Sequence, residues 1–296
     1  MEILKLKNEY NMGKSLTQIA KEYKISRWKL TKLLKESGEK IVNKHNLLKF
    51  NEHYFDSIDT EEKAYWLGFI FADGCIMSKT YSFELTLGFK DQEHILNFVK
   101  AIDYSGKIYT KKHGMSCCLR SKHFWTTLYN YGCVPNKSLI LNFPELTIFN
   151  SENLIQHFIR GYFDGDGCIT QHVYTHTVSP NITLLGTKEF LTKLVQILNI
   201  ECKFRHDYRH STNTFSLEFS KENGIQFINY LYNNSNIHLI RKYNKFLFFK
   251  NGSRSIQEWV ELLSGKIGEI PIQENAEVNI ETKESMSPYS VDDEPI

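Results

Sequence analysis

Two aspartates in this chain occupy the same place in matching nine-residue segments. Asp73 is the eighth residue of Trp66-Leu-Gly-Phe-Ile-Phe-Ala-Asp-Gly74, and Asp166 the eighth of Ile159-Arg-Gly-Tyr-Phe-Asp-Gly-Asp-Gly167; each segment is followed by Cys-Ile. The aspartates are 93 residues apart. Gly68 and Ala72, like Gly161 and Gly165, are spaced four apart, so small residues line one face of each segment if it is helical. Such faces let two helix backbones approach closely. Packed side by side, the helices would bring Asp73 next to Asp166. A carboxylate at a helix C-terminus faces the negative dipole end, and two adjacent carboxylates repel. A divalent cation relieves both problems, and hard oxygen donors suit Mg²⁺ or Mn²⁺. An isolated Asp-Gly pair would be no more than a turn. The glycine after each Asp is expected to stop its helix in a left-handed conformation.

The surroundings repeat as well. Leu85-Thr-Leu-Gly88 resembles Ile182-Thr-Leu-Leu-Gly186, and Leu128-Tyr-Asn130 resembles Leu231-Tyr-Asn233. After each motif the pattern reads strand, strand, helix, strand, strand, helix. Asp59, with Glu62 three residues on, is expected to cap the helix carrying the first motif. The divisions are residues 60–150 and 151–264 for the two halves, a polar linker at 37–59, a helical unit at 1–36 and a tail at 265–296.

The paired motif resembles the LAGLIDADG homing endonuclease family over roughly residues 60–250, in its two-motif, single-chain form. It departs from the family pattern at Trp66, position one, and at Phe71, position six, where the second copy keeps Asp164. The resemblance implies an α+β fold, a duplicated αββαββα saddle with a pseudo-two-fold axis, whose sheets lie along DNA. It implies a site-specific double-strand DNA endonuclease that hydrolyses phosphodiesters with metal help, acting as a monomer on a long asymmetric site, of the kind carried by mobile introns. Asp73 and Asp166 would then hold metal, with the carbonyls of Ala72 and Gly165 as further ligands, and the metal would activate water. Lys137, in Val134-Pro-Asn-Lys-Ser138, would stabilise transition-state charge. Its second-half counterpart is ambiguous: Ile240 aligns with Lys137, and Arg241 and Lys242 follow, so Lys242 is the candidate and the half-sites are unequal. Two alternatives stay open, a catalytically silent DNA-binding regulator and an RNA maturase. An intein is disfavoured by Met1 and by the ending Glu294-Pro-Ile296.

Strand alternation nominates the DNA face. Met77, Lys79 and Tyr81 fall opposite Ile76 and Ser78. After the second motif Ile169 points inward, and Thr170, His172, Tyr174 and His176 share the polar face. On one strand His172 and His176 would stand ~13 Å apart, too far to share a metal.

Net charge is +2, unevenly spread. Residues 1–50 hold twelve Lys/Arg against five Asp/Glu, whereas residues 271–296 hold seven Asp/Glu and one Lys. A basic body suits double-stranded DNA, although solvated surface charge is the plainer reading. The acidic, Pro-containing tail is expected to be disordered. Residues 15–23 place Leu16, Ile19, Ala20 and Tyr23 on one helical face, and Ser26 caps a second helix to Lys35 with Leu30, Leu33 and Leu34 inward. Helix, short turn, helix is the helix-turn-helix pattern, and it resembles resolvase-type segments in Gly13, Ile19-Ala20 and Ile25-Ser26. Arg27, Trp28, Thr31 and Lys32 are the positions that would enter a major groove; an ordinary helical hairpin is the alternative. The six Cys form no C-x-x-C pair, which disfavours zinc ribbons and disulfide scaffolds and fits reduced thiols inside a cell, in cytoplasm or an organelle. No apolar run reaches membrane-spanning length and no signal segment opens the chain.

Deleting residues 1–36 should weaken DNA affinity and flatten its dependence on salt, by about 0.9 in log–log slope for each phosphate no longer neutralised. Affinities measured across a salt series check this, and an unchanged slope would remove the DNA-binding role of the segment.

Overall fold

The computed structural model describes residues 3–11, 14, 16–39, 50–173, 176–208 and 213–263. Three helices come first: α1 (Ile3–Asn11), α2 (Leu16–Glu22) and α3 (Arg27–Glu36). They bury a small core of their own, built on Leu6, Ile19, Leu30 and Leu34. Ser26 caps α3 through its hydroxyl, which accepts from the Lys29 amide. Leu33 is only half-buried. The helix α1, absent from the two-helix pattern, packs on both others. The expected tail and the core of the expected linker, residues 40–49, lie outside the described residues, as do Gly13 and Ser15.

The remainder is a duplication. The first half runs α4 (Glu61–Asp73), β1 (Gly74–Met77), β2 (Ser82–Gly88), α5 (Gln92–Ala101), β3 (Ile108–Lys111), β4 (Gly114–Arg120) and α6 (Lys122–Asn130). The second runs α7 (Asn153–Asp166), β5 (Gly167–Val173), β6 (Thr177–Gly186), α8 (Lys188–Leu198), β7 (Lys203–His206), β8 (Phe215–Ser220) and α9 (Lys221–Tyr232). This is the expected αββαββα order, twice. The strand orders match, β1-β2-β4-β3 and β5-β6-β8-β7, with all pairs antiparallel. The second half is extended by α10 (Ile240–Phe249), β9 (Arg254–Ser255), which pairs with β6, and α11 (Ile256–Leu263).

Helices α4 and α7 cross at the centre, and their packing obeys the pseudo-symmetry residue by residue. A Cβ on Gly68 would lie 1.9 Å from the Phe158 carbonyl oxygen, and a Cβ on Gly161 would lie 1.9 Å from the Tyr65 carbonyl oxygen. Adding the 93-residue repeat to 65 and 68 gives 158 and 161, so the two approaches are copies of one another. On the axis itself position seven meets position seven: a Cβ on Gly165 would lie 2.2 Å from the Ala72 Cβ. There is room for one methyl group there, and Ala72 supplies it. The helices are also tied where they begin, by a parallel bridge between Ile58 and Phe149 and by the Asn150 amide donating to the Ile58 carbonyl at 2.9 Å.

Three local expectations are corrected. The cap of α4 is Thr60, whose hydroxyl accepts from the Lys63 amide, while Asp59 pairs with the Lys63 ammonium at 2.9 Å. Gly74 and Gly167 end their helices in extended conformations, at φ −72° and −88°, not left-handed ones. Glycine is needed at both for space: a Cβ would meet the Ile70 carbonyl oxygen at 2.7 Å, or the Phe163 ring at 2.2 Å. Each chain turns straight from helix into strand, where backbone crowds the preceding turn. Finally, β1 ends at Met77, so Lys79 and Tyr81 belong to the hairpin turn and not to a strand face.

The axis packing generates a swap experiment. Gly165→Ala alone should destabilise the fold by about 1–3 kcal/mol, the usual range for overpacking. Ala72→Gly alone should cost about 1 kcal/mol of helix propensity. The double variant should return close to the parent, because the single methyl has only changed sides. Denaturant melts of the four proteins form the cycle, and additive costs would show that the two positions do not share one space.

Candidate active site

The close crossing of α4 and α7 carries both C-termini to one place. Asp73 and Asp166 stand side by side there: a Cβ on Gly165, the residue before Asp166, would be 3.1 Å from Asp73 Oδ2. Both carboxylates remain open to solvent on one side, but they stand over densely packed helix ends. Burial, followed by the negative charge of Asp166, pushes the Asp73 carboxyl up to about 6. Burial also raises Asp166, against the pull of Lys137, Lys242 and a hydrogen bond from the Tyr162 hydroxyl. Two carboxylates that resist ionising together form a site that gains from a cation.

A lysine from outside the motifs reaches each helix end. Lys137 opens a 3₁₀ turn behind Asn136, which sits in the left-handed region at φ 57°. Its Nζ donates to the Ala72 carbonyl at 2.6 Å. Lys242, on α10, is buried and donates to the carbonyls of Phe163 at 2.6 Å and Asp164 at 2.8 Å. Burial pulls the Lys242 ammonium down to about 8, although Asp164 favours its charge. Ammonium groups on last-turn carbonyls offset the negative helix ends. The alignment that set Ile240 against Lys137 is therefore displaced by two residues: Ile240 is exposed, and Lys242 does the corresponding work.

The asymmetry at position six has a structural consequence. Phe71 packs edge-on against Phe158, with ring centroids 5.2 Å apart. Asp164 is buried and accepts from the Tyr65 hydroxyl at 2.7 Å, the Tyr232 hydroxyl at 2.5 Å and the Leu239 amide at 2.7 Å. It joins α4, α9 and the start of α10, and so positions Lys242. Tyr162 has Phe69 as its first-half equivalent, and it lines a cleft with Phe71, Ala72, Lys137, Asp166 and Thr187. The two halves are thus chemically unequal around one pair of equivalent aspartates. Neither Asp164 nor Tyr162 stands out as a positioning group in sequence; the one available signal is a polar residue at an inward-facing helix position.

The surface candidates divide. Thr170 and His172 are exposed on β5, and Ile169 is buried, as alternation requires. His172 lines a groove with Asn181, Lys203, Arg205, Glu218 and Lys221. Sequence reasoning misses Lys203 and Arg205; their alternation on β7 is the signal that could have found them. His176 lies in a bend before β6, not on the β5 face, and Tyr174 lies outside the described residues. Met77 is half-buried and Lys79 exposed. Tyr81, at φ 48°, turns its ring against Trp125 of α6, 5.4 Å between centroids, with Lys122 Nζ 5.6 Å away. It is held by the helix and is not a strand residue pointing outward. On α3, Arg27, Trp28 and Lys32 are exposed, while the Thr31 hydroxyl bonds back to the Arg27 carbonyl at 2.8 Å. Among the described residues, no helix is long and apolar enough to cross a membrane.

No family model and no curated protein matches the chain. Among solved structures, the I-SmaMI LAGLIDADG homing endonuclease bound to cleaved DNA is similar at 14% identity and a TM-score of 0.45, covering 62% of this chain and 86% of that one. The LAGLIDADG homing endonuclease I-GzeII in complex with a DNA target aligns at 14% identity and a TM-score of 0.45, over 69% of this chain and 91% of its own. I-LtrWI, bound to target DNA, gives 14% and 0.43 over 67% and 90%.

The raised Asp73 carboxyl has a signed consequence for stability. Its folded value, about 6, lies above the ordinary 3.8, so the stability it contributes is present below pH ~4 and is lost as pH rises through 6. Asp73→Asn should therefore melt higher than the parent at pH 8 in EDTA, by roughly 2–4 °C for about 1 kcal/mol after allowing for solvent screening. The gap should close at pH 4. Equal melting temperatures at pH 8 would show that neither burial nor the charge of Asp166 penalises the ionised Asp73 carboxylate.

Proposed function

We propose that this chain is a site-specific DNA endonuclease, of the LAGLIDADG homing kind, that cleaves both strands at one long asymmetric site. The observation that carries the reading is the pair of raised, equivalent carboxylates at two closely packed helix ends, each attended by a lysine. The donors fit a hard divalent cation, Mg²⁺ or Mn²⁺. The Asp73 and Asp166 carboxylates would hold it, with the Gly165 carbonyl and the Ala72 carbonyl, which keeps one lone pair beyond its bond to Lys137. Once bound, it supplies a water of lowered pKa and positive charge at the phosphate.

Hydrolysis joins a water oxygen to phosphorus, breaks one P–O bond and leaves a proton for the departing oxygen. Lys137, half-buried at the cleft, offers its ammonium to the charge that builds on the phosphoryl oxygens. Lys242 is further inside; it holds the α7 terminus in place and so orients Asp166. Tyr162 restrains Asp166 from the cleft side. The exposed rows on the sheets, with Thr170, His172, Lys203 and Arg205 in the second half, meet the duplex, lysine and arginine mostly at phosphates. The helical unit α1–α3 adds a further DNA contact through Arg27, Trp28 and Lys32. Both halves reside in one chain, so a monomer suffices, and unequal halves suit an asymmetric target.

Asp73→Asn and Asp166→Asn should each lower double-strand cleavage by about 10³-fold or more, with DNA affinity kept within a few-fold. Lys137→Met should lower it by about 10²-fold. Cleavage of DNA spanning the gene's insertion point, with Mg²⁺, is the assay. Full activity in either aspartate variant would overturn the assignment.

A further inference from the structure

Away from the paired aspartates, three metal-ligating side chains from two elements converge on the outer surface of the first half. His53 and Asp56 lie in the segment that leads into α4, and His123 lies in the first turn of α6. His53 Nδ1 is 2.8 Å from Asp56 Oδ2, and His123 Nε2 is 2.5 Å from Asp56 Oδ1. The two imidazole rings are 4.4 Å apart between centroids. One ligand atom from each of the three residues can be chosen so that all lie within 4.8 Å of one another.

The backbone that presents them is pinned. The Asn51 amide donates to the Ile102 carbonyl at 2.8 Å, and the His53 amide donates to the Asn51 side chain at 3.0 Å. The Tyr131 hydroxyl donates to the Phe55 carbonyl at 2.9 Å, and the Phe55 ring is fully buried. Little ordering entropy therefore remains to oppose a ligand. A second carboxylate stands behind the site: Glu52 Oε1 is 3.9 Å from His53 Nε2, the ring nitrogen turned away from Asp56, and the other Glu52 oxygen accepts from the Ser121 hydroxyl. Metal-bound imidazoles usually donate their outer N–H to a carboxylate, and Glu52 stands about 1 Å beyond that reach.

We propose that His53, Asp56 and His123 bind one borderline divalent transition-metal ion, Zn²⁺ foremost, with an outward position left for water. Two imidazoles and one carboxylate form a nitrogen-rich set that suits Zn²⁺ or Co²⁺ and not the hard cations fitted to Asp73 and Asp166. Around tetrahedral Zn²⁺ the ligand atoms stand about 3.4 Å apart, so the two short contacts to Asp56 would lengthen by under ~1 Å and any wider ligand pair would close by no more than ~1.5 Å. The ion would take the ring nitrogens and the carboxylate oxygen that now hydrogen-bond to one another, each imidazole keeping its proton on the nitrogen turned away from the metal. It clips residues 50–56 to α6, and so fixes where the chain enters the first half. The site stands whether or not Asp73 and Asp166 hold cations.

The test uses the full chain with Zn²⁺ in calorimetry and Co²⁺ in visible absorption. The parent and the Asp73→Asn/Asp166→Asn double variant should each bind one Zn²⁺ here, and Co²⁺ should give the intense bands of a four- or five-coordinate ion. His53→Gln and His123→Gln should each weaken this binding by about 100-fold or more and erase the bands, and Glu52→Gln should weaken it by about 10-fold. At 100-fold excess over its dissociation constant, Zn²⁺ should raise the parent's melting temperature by roughly 5–10 °C, and leave His123→Gln unmoved. Unchanged Zn²⁺ affinity in both histidine variants overturns the proposal, as does a parent that binds no Zn²⁺ at micromolar concentration.

Discussion

The tightest constraint in this molecule is the approach of two helix backbones, α4 and α7, with no side chain between them at Gly68 and Gly161. The carbonyl of Phe158 occupies the place of one missing Cβ and the carbonyl of Tyr65 the place of the other. Since both are the same approach carried through the 93-residue repeat, the helices can meet in only one register. That register fixes the distance between the two sheets' starting points, because β1 and β5 leave directly from the helix ends. It also forces Asp73 and Asp166 together. The site is thus a by-product of tight packing: the aspartates do not attract each other, and large buried aromatics hold them in place. Trp66, Phe69 and Phe71 on α4, with Phe158 and Phe163 on α7, belong to one continuous core that spans both halves.

Polar groups buried beside that crossing serve position more than stability. Arg160 is fully buried, pairs with Glu61 of α4 at 2.6 Å, and donates to the carbonyls of Ile237 and Leu231. Glu61 also accepts from the amide and side chain of Asn236. Asp164 gathers two tyrosines and the Leu239 amide. A buried ion pair is weak evidence for stability, since apolar residues can replace such pairs without loss. What these groups do here is tie the loop at 235–239, which belongs to no sheet, to the central helices. Lys242 follows that loop, and its place at the α7 terminus depends on it. The first half reaches the same end by a different route, with Lys137 on a short turn and a phenylalanine at position six.

The paired motif, the αββαββα order and the inward side of β5 are all legible in the chain, because each rests on spacing that local geometry converts directly into a face. Where sequence and structure part, the causes are local and physical too. Alternation assigns Lys79 and Tyr81 to a strand that in fact stops at Met77, because alternation carries no mark of where pairing ends. An Asp-Gly helix end reads as a left-handed stop, whereas steric crowding from Ile70 and Phe163 is what excludes a side chain there. The α4 cap lies at Thr60 instead of Asp59, one residue along, since Asp59 finds Lys63 as a partner.

By itself the sequence determined that the two motifs, and the carboxylates that they carry, are equivalent. A duplicated Gly-x-x-x-small-Asp-Gly pattern, with the hydrophobic periods that follow it, specifies two like halves and two like carboxylates, because those properties depend only on neighbours within a few residues along the chain. Tertiary structure decided what is unlike between the halves. Whether Ile240, Arg241 or Lys242 reaches the helix end, whether Asp164 faces a cation or two tyrosines, and whether Ala72 and Gly165 compete for one space on the axis are all settled between segments far apart in sequence. So is the meeting of His53 with His123, 70 residues away. Those outcomes follow from where space and hydrogen-bond partners remain once the two glycine-notched helices have closed on each other, and no local pattern records that.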